Sequence, residues 1–129
     1  MPSATGIAIA NETRAAIPRA PFSAIARAML GPRYRLSLVF VSPSRMKKLN
    51  AIYRDKDEPT DILSFPLADG EGEIYISPSE ARKQAKEFGR TYPNFIAFLF
   101  IHGCAHLKGY DHGSTMERIE ASFRRRFKI

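Results

Sequence analysis

A chain of 129 residues, 44% hydrophobic and 26% charged, has ordinary globular composition and fits a single domain over residues 1–129. Disorder is excluded on that composition, and a chain of this size buries enough surface to hold a core without disulfides. Twenty Lys plus Arg against thirteen Asp plus Glu leave a net charge of +7, which attracts polyanions and makes nucleic acid a candidate partner. A single cysteine closes no intrachain bridge, and Met1 to Ala16 lack a basic segment followed by a long apolar one. Both features point to a reducing, cytoplasmic location. The most continuous apolar run, Phe95 to Ile101, is far shorter than the roughly 20 residues that cross a bilayer, so no membrane association is expected.

Pro21 to Leu30 places Phe22, Ile25, Ala26 and Met29 at helical spacing, and Gly31-Pro32 ends this helix. Tyr34 to Val41 alternates Leu36, Leu38 and Phe40 onto one face and is predicted to be a strand. Ser42 caps a second helix with Pro43 at its first position and Met46, Leu49 and Tyr53 along it. The polar stretch from Asp55 to Asp61 is a loop. Ile62 to Phe65 and Glu73 to Ile76 form a pair of strands joined through Gly70-Glu71-Gly72. Ser77 and Glu80 form a capping box that starts a helix running to Gly89, with Arg82, Lys83, Lys86 and Arg90 spread round a solvated face. Pro93 to Leu107 is apolar on almost every side, as in a helix buried at the centre of a small protein. Gly109 ends it. A second capping box, Ser114 to Glu117, opens a last helix with Met116, Ile119, Phe123 and Phe127 on one stripe and Arg124, Arg125, Arg126 and Lys128 at its end.

All three histidines fall within eleven residues, at 102, 106 and 112. On a helix, His102 and His106 differ by about 40° in direction and one turn in height, so both imidazoles reach one ion. Gly109 lets the chain turn at an angle closed to other residues and bring His112 to the same point. Three imidazoles with an open fourth position describe a catalytic zinc site, one Zn2+ per chain. Cys104 lies about 200° from the helical histidines and is expected to be a buried thiol. The spacing matches the metzincin proteases, except that Gly103 stands where those enzymes carry the glutamate that serves as general base. Peptidase activity is therefore disfavoured. Phosphodiester cleavage suits the remaining groups better, with Arg54 the candidate to meet phosphate charge.

The segment His102-Gly103-Cys104-Ala105-His106-Leu107-Lys108-Gly109-Tyr110-Asp111-His112 resembles the signature of the YbeY family of bacterial rRNA-maturation endoribonucleases. Leu49 to Pro66, with Asn50, Tyr53, Arg54, Asp57, Pro59 and Thr60-Asp61-Ile62-Leu63-Ser64-Phe65, is similar to the family's second block, and Gly72 to Ser77 to its third. The chain departs from the pattern at Ala105, where leucine is usual, in its short N-terminal part and in its basic C-terminal region. The resemblance implies an α+β fold with a mixed sheet packed with helices and a zincin-like histidine helix. It implies a zinc ion held by His102, His106 and His112 at the bottom of a basic groove, with Arg54 and His112 among the residues needed for activity. The implied reaction is cleavage of single-stranded RNA, not DNA. The implied role is maturation of the 3′ end of small-subunit rRNA and quality control, with rRNA precursor and small ribosomal subunit as partners.

Three further residues are weighed beside these. Asp111 either orients a ligand histidine or ends the helix turn. Asp61 and Ser64 are groove candidates, Asp61 as a proton acceptor, though an Asp after Pro-Thr serves equally as a loop cap. The nucleophile is either a water or the neighbouring 2′-hydroxyl. Two rivals remain: a metallopeptidase, and a non-catalytic ribosome-assembly factor that binds RNA through its charge and leaves it intact.

Overall fold

The computed structural model describes residues 6–53 in full, the backbone of residue 54, and residues 60–111 and 113–129. Its elements run β1 (Gly6–Asn11), α1 (Phe22–Leu30), β2 (Arg35–Phe40), α2 (Pro43–Arg54), β3 (Ile62–Ala68), β4 (Glu71–Ile76), α3 (Pro78–Glu87), α4 (Tyr92–Leu107) and α5 (Ser114–Phe127). The four strands lie in the order β1-β2-β4-β3. β1 and β4 both pair parallel to β2, and β3 pairs antiparallel to β4, so the sheet is mixed and the architecture is α+β as expected.

Alternation along the strands divides the apolar residues between two faces of the sheet. Leu36, Leu38 and Phe40 of β2 join Ile74 and Ile76 of β4 in the main core beneath α1 and α4, together with the predicted α1 stripe of Phe22, Ile25, Ala26 and Met29. Val39, Val41 and Leu63 pack against Met46 and Leu49 of α2 in a smaller cluster. α4 passes through the middle, buried at ten positions that include Phe95, Phe100, Ile101 and Cys104. Removing that much apolar surface from water is the main force that fixes the helix on the sheet.

Several local expectations change. β1 has no counterpart among the predicted elements: its sequence, Gly-Ile-Ala-Ile-Ala-Asn, is short and alanine-rich, and it lies exposed at one edge of the sheet. β3 does not stop at Phe65 but continues through Pro66 to Ala68 with a register shift between those two residues. An edge strand tolerates the missing proline N–H, and β3 is the other edge. Ser77 caps α3 by accepting from the Glu80 amide, but the reciprocal half of the box is not made. Its own N–H donates to the Asp61 carbonyl at 3.0 Å, while Glu80 pairs with Lys83 at 3.2 Å. The box at Ser114 does not form. The helix already begins there, and Gly113, with φ 140°, is the cap residue without a capping side chain. Arg82, Lys83, Lys86 and Arg90 gather with Tyr92 around one cleft rather than spreading round the surface, and the Arg82 guanidinium sits 3.8 Å over the Tyr92 ring.

Candidate functional site: a histidine pair over an open groove

The last two turns of α4 carry the site. His102 and His106, one turn apart, lie with ring centroids 4.7 Å apart and planes near perpendicular at 88°. Both rings are partly exposed, although the residues between and behind them, Gly103, Cys104 and Ala105, are buried. Cys104 points into the core as expected, and burial pushes its thiol far above the usual range.

Beside the histidines the helix runs close to the sheet. A Cβ on Gly103 would stand 3.0 Å from the Ile62 and Ile74 side chains and 3.0 Å from Ser64 Oγ. A glutamate at this position would run into the sheet. The helix ends where the sequence requires: Gly109 takes φ 103° and donates to the His106 carbonyl at 2.9 Å, and Tyr110 N–H donates to the Ala105 carbonyl at 3.1 Å. Lys108 ties this end to α1 through the Met29 carbonyl at 3.0 Å.

The two rings open onto a groove of about 580 Å³ lined also by Tyr53, Asp61, Ser64, Phe65 and Asp111. The structure thus brings Asp61, Ser64 and Asp111 to the same groove as His102 and His106. Arg54 closes α2 in the backbone, but its side chain and the whole of His112 lie outside the described residues. No lysine or arginine stands among the described residues of the lining, so those residues do not supply the basic character expected of the groove. Two carboxyl groups and two imidazoles line it instead, and among the described residues no three of these side chains come close enough together to hold one ion. Burial raises the Asp61 carboxyl above its ordinary range, against the lowering effects of backbone N–H groups and of His102.

On the groove's other wall, Tyr53 is 62% exposed and rests on Phe65 at a centroid distance of 4.8 Å, and Phe65 meets Tyr75 edge-on at 5.9 Å. A second cleft, lined by Phe88, Phe98, Met116 and Glu120, shares Asp61, Ile62 and His102 with the first, so the His102 ring borders both.

One site residue is absent from the sequence reading. Glu120 of α5 is buried, 7% exposed, and its Oε1 lies 3.1 Å from His102 Nδ1. Arg124, one turn on, stands 3.9 Å from the same oxygen and lies 5.2 Å over the Phe98 ring. Glu120 stands four residues after Met116 and three before Phe123, squarely on the helix's apolar stripe. A carboxylate at such a position is the signal that points to it.

The donor set suits zinc. Two imidazoles one helical turn apart provide nitrogen ligands of the right kind, and a carboxylate on the far nitrogen of one of them is the usual outer partner of a metal-ligating histidine.

A mixed sheet crossed by a buried helix whose exposed end carries paired histidines over a groove defines a class of α+β proteins with a histidine-bearing central helix. Sequence comparison places the chain within that class. A family model described as Endoribonuclease YbeY matches residues 7–127, and the chain belongs to the YbeY family. Endoribonuclease YbeY of Finegoldia magna is 45% identical over 93 residues, covering 67% of this chain and 61% of that protein. The protein of the same name from Carboxydothermus hydrogenoformans is 45% identical over 82 residues, 60% of this chain and 57% of the relative. The matches thus span about three-fifths of the length of these curated relatives. A solution structure of a Thermotoga maritima protein superposes with a TM-score of 0.65 at 28% identity, over 91% of this chain and 85% of that one.

Proposed function

We propose that this protein is a zinc-dependent endoribonuclease that cleaves single-stranded RNA and acts in maturation of the 3′ end of small-subunit rRNA and in ribosome quality control. Its partners in this reading are rRNA precursor and the small ribosomal subunit, and it works in the cytoplasm. The observation that carries the reading is the imidazole pair at the floor of an open groove, in a chain of a family whose relatives are named endoribonucleases. Among the described residues no helix is long and apolar enough to cross a membrane.

In this reading His102 and His106, with His112, hold the ion, and Arg54 meets the charge of the scissile phosphate. Zinc, when bound, supplies a Lewis acid that polarises a phosphoryl oxygen. The aromatic wall of Tyr53 on Phe65 offers a face on which a base of an unpaired strand stacks, which a paired base inside a duplex cannot do. The Asp61 carboxyl, held partly out of water at the groove, is a group that accepts a proton more readily than an exposed aspartate does.

The packing at Gly103 argues against the metallopeptidase alternative, because a Cβ there already meets Ile62, Ile74 and Ser64 at 3.0 Å and leaves no room for the proteolytic base. The test is cleavage of an end-labelled single-stranded RNA by the purified protein, with His106→Ala prepared identically. Cleavage is expected from the wild type alone, abolished by a chelator. Equal cleavage by both proteins, or none by either, leaves RNA binding without cleavage as the better account. A 5′-phosphate on the downstream product indicates attack by water, and a 2′,3′-cyclic phosphate on the upstream product indicates attack by the 2′-hydroxyl.

A further inference from the structure

His102 is held from behind by a residue on a different helix. Its Nδ1 lies 3.1 Å from Glu120 Oε1, and a carboxylate has only lone pairs to offer, so the ring nitrogen is the donor. A neutral imidazole that donates from Nδ1 carries its free lone pair on Nε2. Free histidine favours the opposite tautomer, so this arrangement is one the protein must impose.

We infer that Glu120 is a positioning residue for the metal: it fixes the tautomer and the ring plane of His102 so that Nε2 is presented to the ion. The inference rests on the proposed metal site and adds to it a residue outside the histidine motif. Three observations carry it besides the hydrogen bond itself. Glu120 is buried on a helix stripe otherwise occupied by Met116 and Phe123, a place where a carboxylate persists only with partners. Arg124 stands 3.9 Å from the same oxygen and is itself laid across Phe98, so the carboxylate has a cationic neighbour besides the histidine. The element that supplies Glu120 packs directly on α4, with Met116 in the main core, so the pair is held by two rigid helices and not by a loop.

The arrangement also limits what the ring can do. Glu120 restrains rotation of His102 about its side-chain bonds. Outer partners of this kind typically change metal affinity by about 10- to 100-fold when removed.

The experiment has two readouts on the same metal-stripped, 15N-histidine-labelled protein. One is zinc affinity by competition with a chromogenic chelator. The other is the tautomer of His102, read from long-range proton–nitrogen correlations at alkaline pH, where imidazole is neutral. The expected wild-type state is Nδ1–H. Glu120→Ala is expected to weaken zinc binding by about 10- to 100-fold and to move His102 toward Nε2–H. Glu120→Gln keeps an oxygen acceptor and is expected to retain the tautomer and most of the affinity. Glu117→Ala, which removes a carboxylate from an exposed position on the same helix, is expected to match the wild type in both.

Unchanged affinity in Glu120→Ala overturns the inference. So does a weaker affinity with the tautomer unchanged, since the loss then comes from charge near the site and not from orientation. A wild type that binds no zinc overturns the metal reading itself. It is recognised because every variant then shows the same absence of binding, whatever its tautomer. Circular dichroism of each variant separates these outcomes from loss of fold.

Discussion

At Gly103 a missing side chain lets a helix come close to a sheet beside two histidines. The three groups that a Cβ would meet at 3.0 Å come from β3 and β4, and Ile74 among them is fully buried with no room to retreat. Alanine here sets a crowded contact against the gain in helix propensity over glycine, and the two nearly offset. Glutamate has no such compensation: its longer side chain is crowded by Ile62, Ile74 and Ser64 from its first carbon on. Gly103→Glu is therefore expected to lower stability by about 3 kcal/mol or more in urea denaturation and to create no protease. A variant as stable as the wild type would show that α4 can lift from the sheet. Glu120 shows the converse at the same scale. A charged residue on an apolar stripe reads in sequence as an interruption of the pattern, and its meaning appears only when α5 is laid against α4.

Among the elements, α4 is the one the others are built around, and its two ends are fixed by different means. Thr91 caps its start, and its far end is pinned where Leu107 and the Tyr34 ring close over Gly72 of β4. Burial first, and then the neighbouring Cys104 and Glu71, hold the Tyr34 phenol above its ordinary value. A raised value in the folded state means that the folded protein keeps this proton longer than the unfolded chain. The stability it contributes is thus fully present below the ordinary phenol value of about 10 and is lost as pH rises through the folded value. Tyr34→Phe removes the dependence, so the wild type should lose stability relative to this variant above about pH 10, measured by denaturation at pH 8 and at stepwise higher values. Parallel behaviour of the two proteins across that range would contradict this placement of Tyr34. The same elements show what a sequence reveals. α1, β2 and the apolar part of α5 are legible because each repeats a period of 2 or 3.6 over enough residues to stand out, and α4 because its apolar run is too long for a strand. β1 is not, since a six-residue strand, half of it Gly and Ala, at an exposed edge carries almost no burial signal. The α5 start departs from the sequence pattern because a serine followed by a glutamate satisfies the capping motif, whereas the backbone turn is made at Gly113. The histidine pair was legible from spacing alone, and the carboxylate behind it was not, because the contact joins residues 18 positions apart on separate helices.

At the scale of the whole molecule, the described residues place most of the positive charge away from the lining of the histidine groove. The chain carries +7, yet the described lining of the groove holds carboxyl and imidazole groups, while four of the cations border a different cleft with Tyr92. A molecule of this charge attracts a polyanion by its general field, and the proposed function adds a metal at one local point. Both are needed if a metal held by histidines is to act on RNA. The most direct measurement titrates zinc into chelator-stripped protein while following cleavage of a labelled single-stranded RNA. The account predicts that activity is absent at the start, rises in proportion to added zinc and levels off at one ion per chain. Full activity in the stripped protein, or no activity at any zinc concentration in a folded protein that has bound one ion, would contradict it.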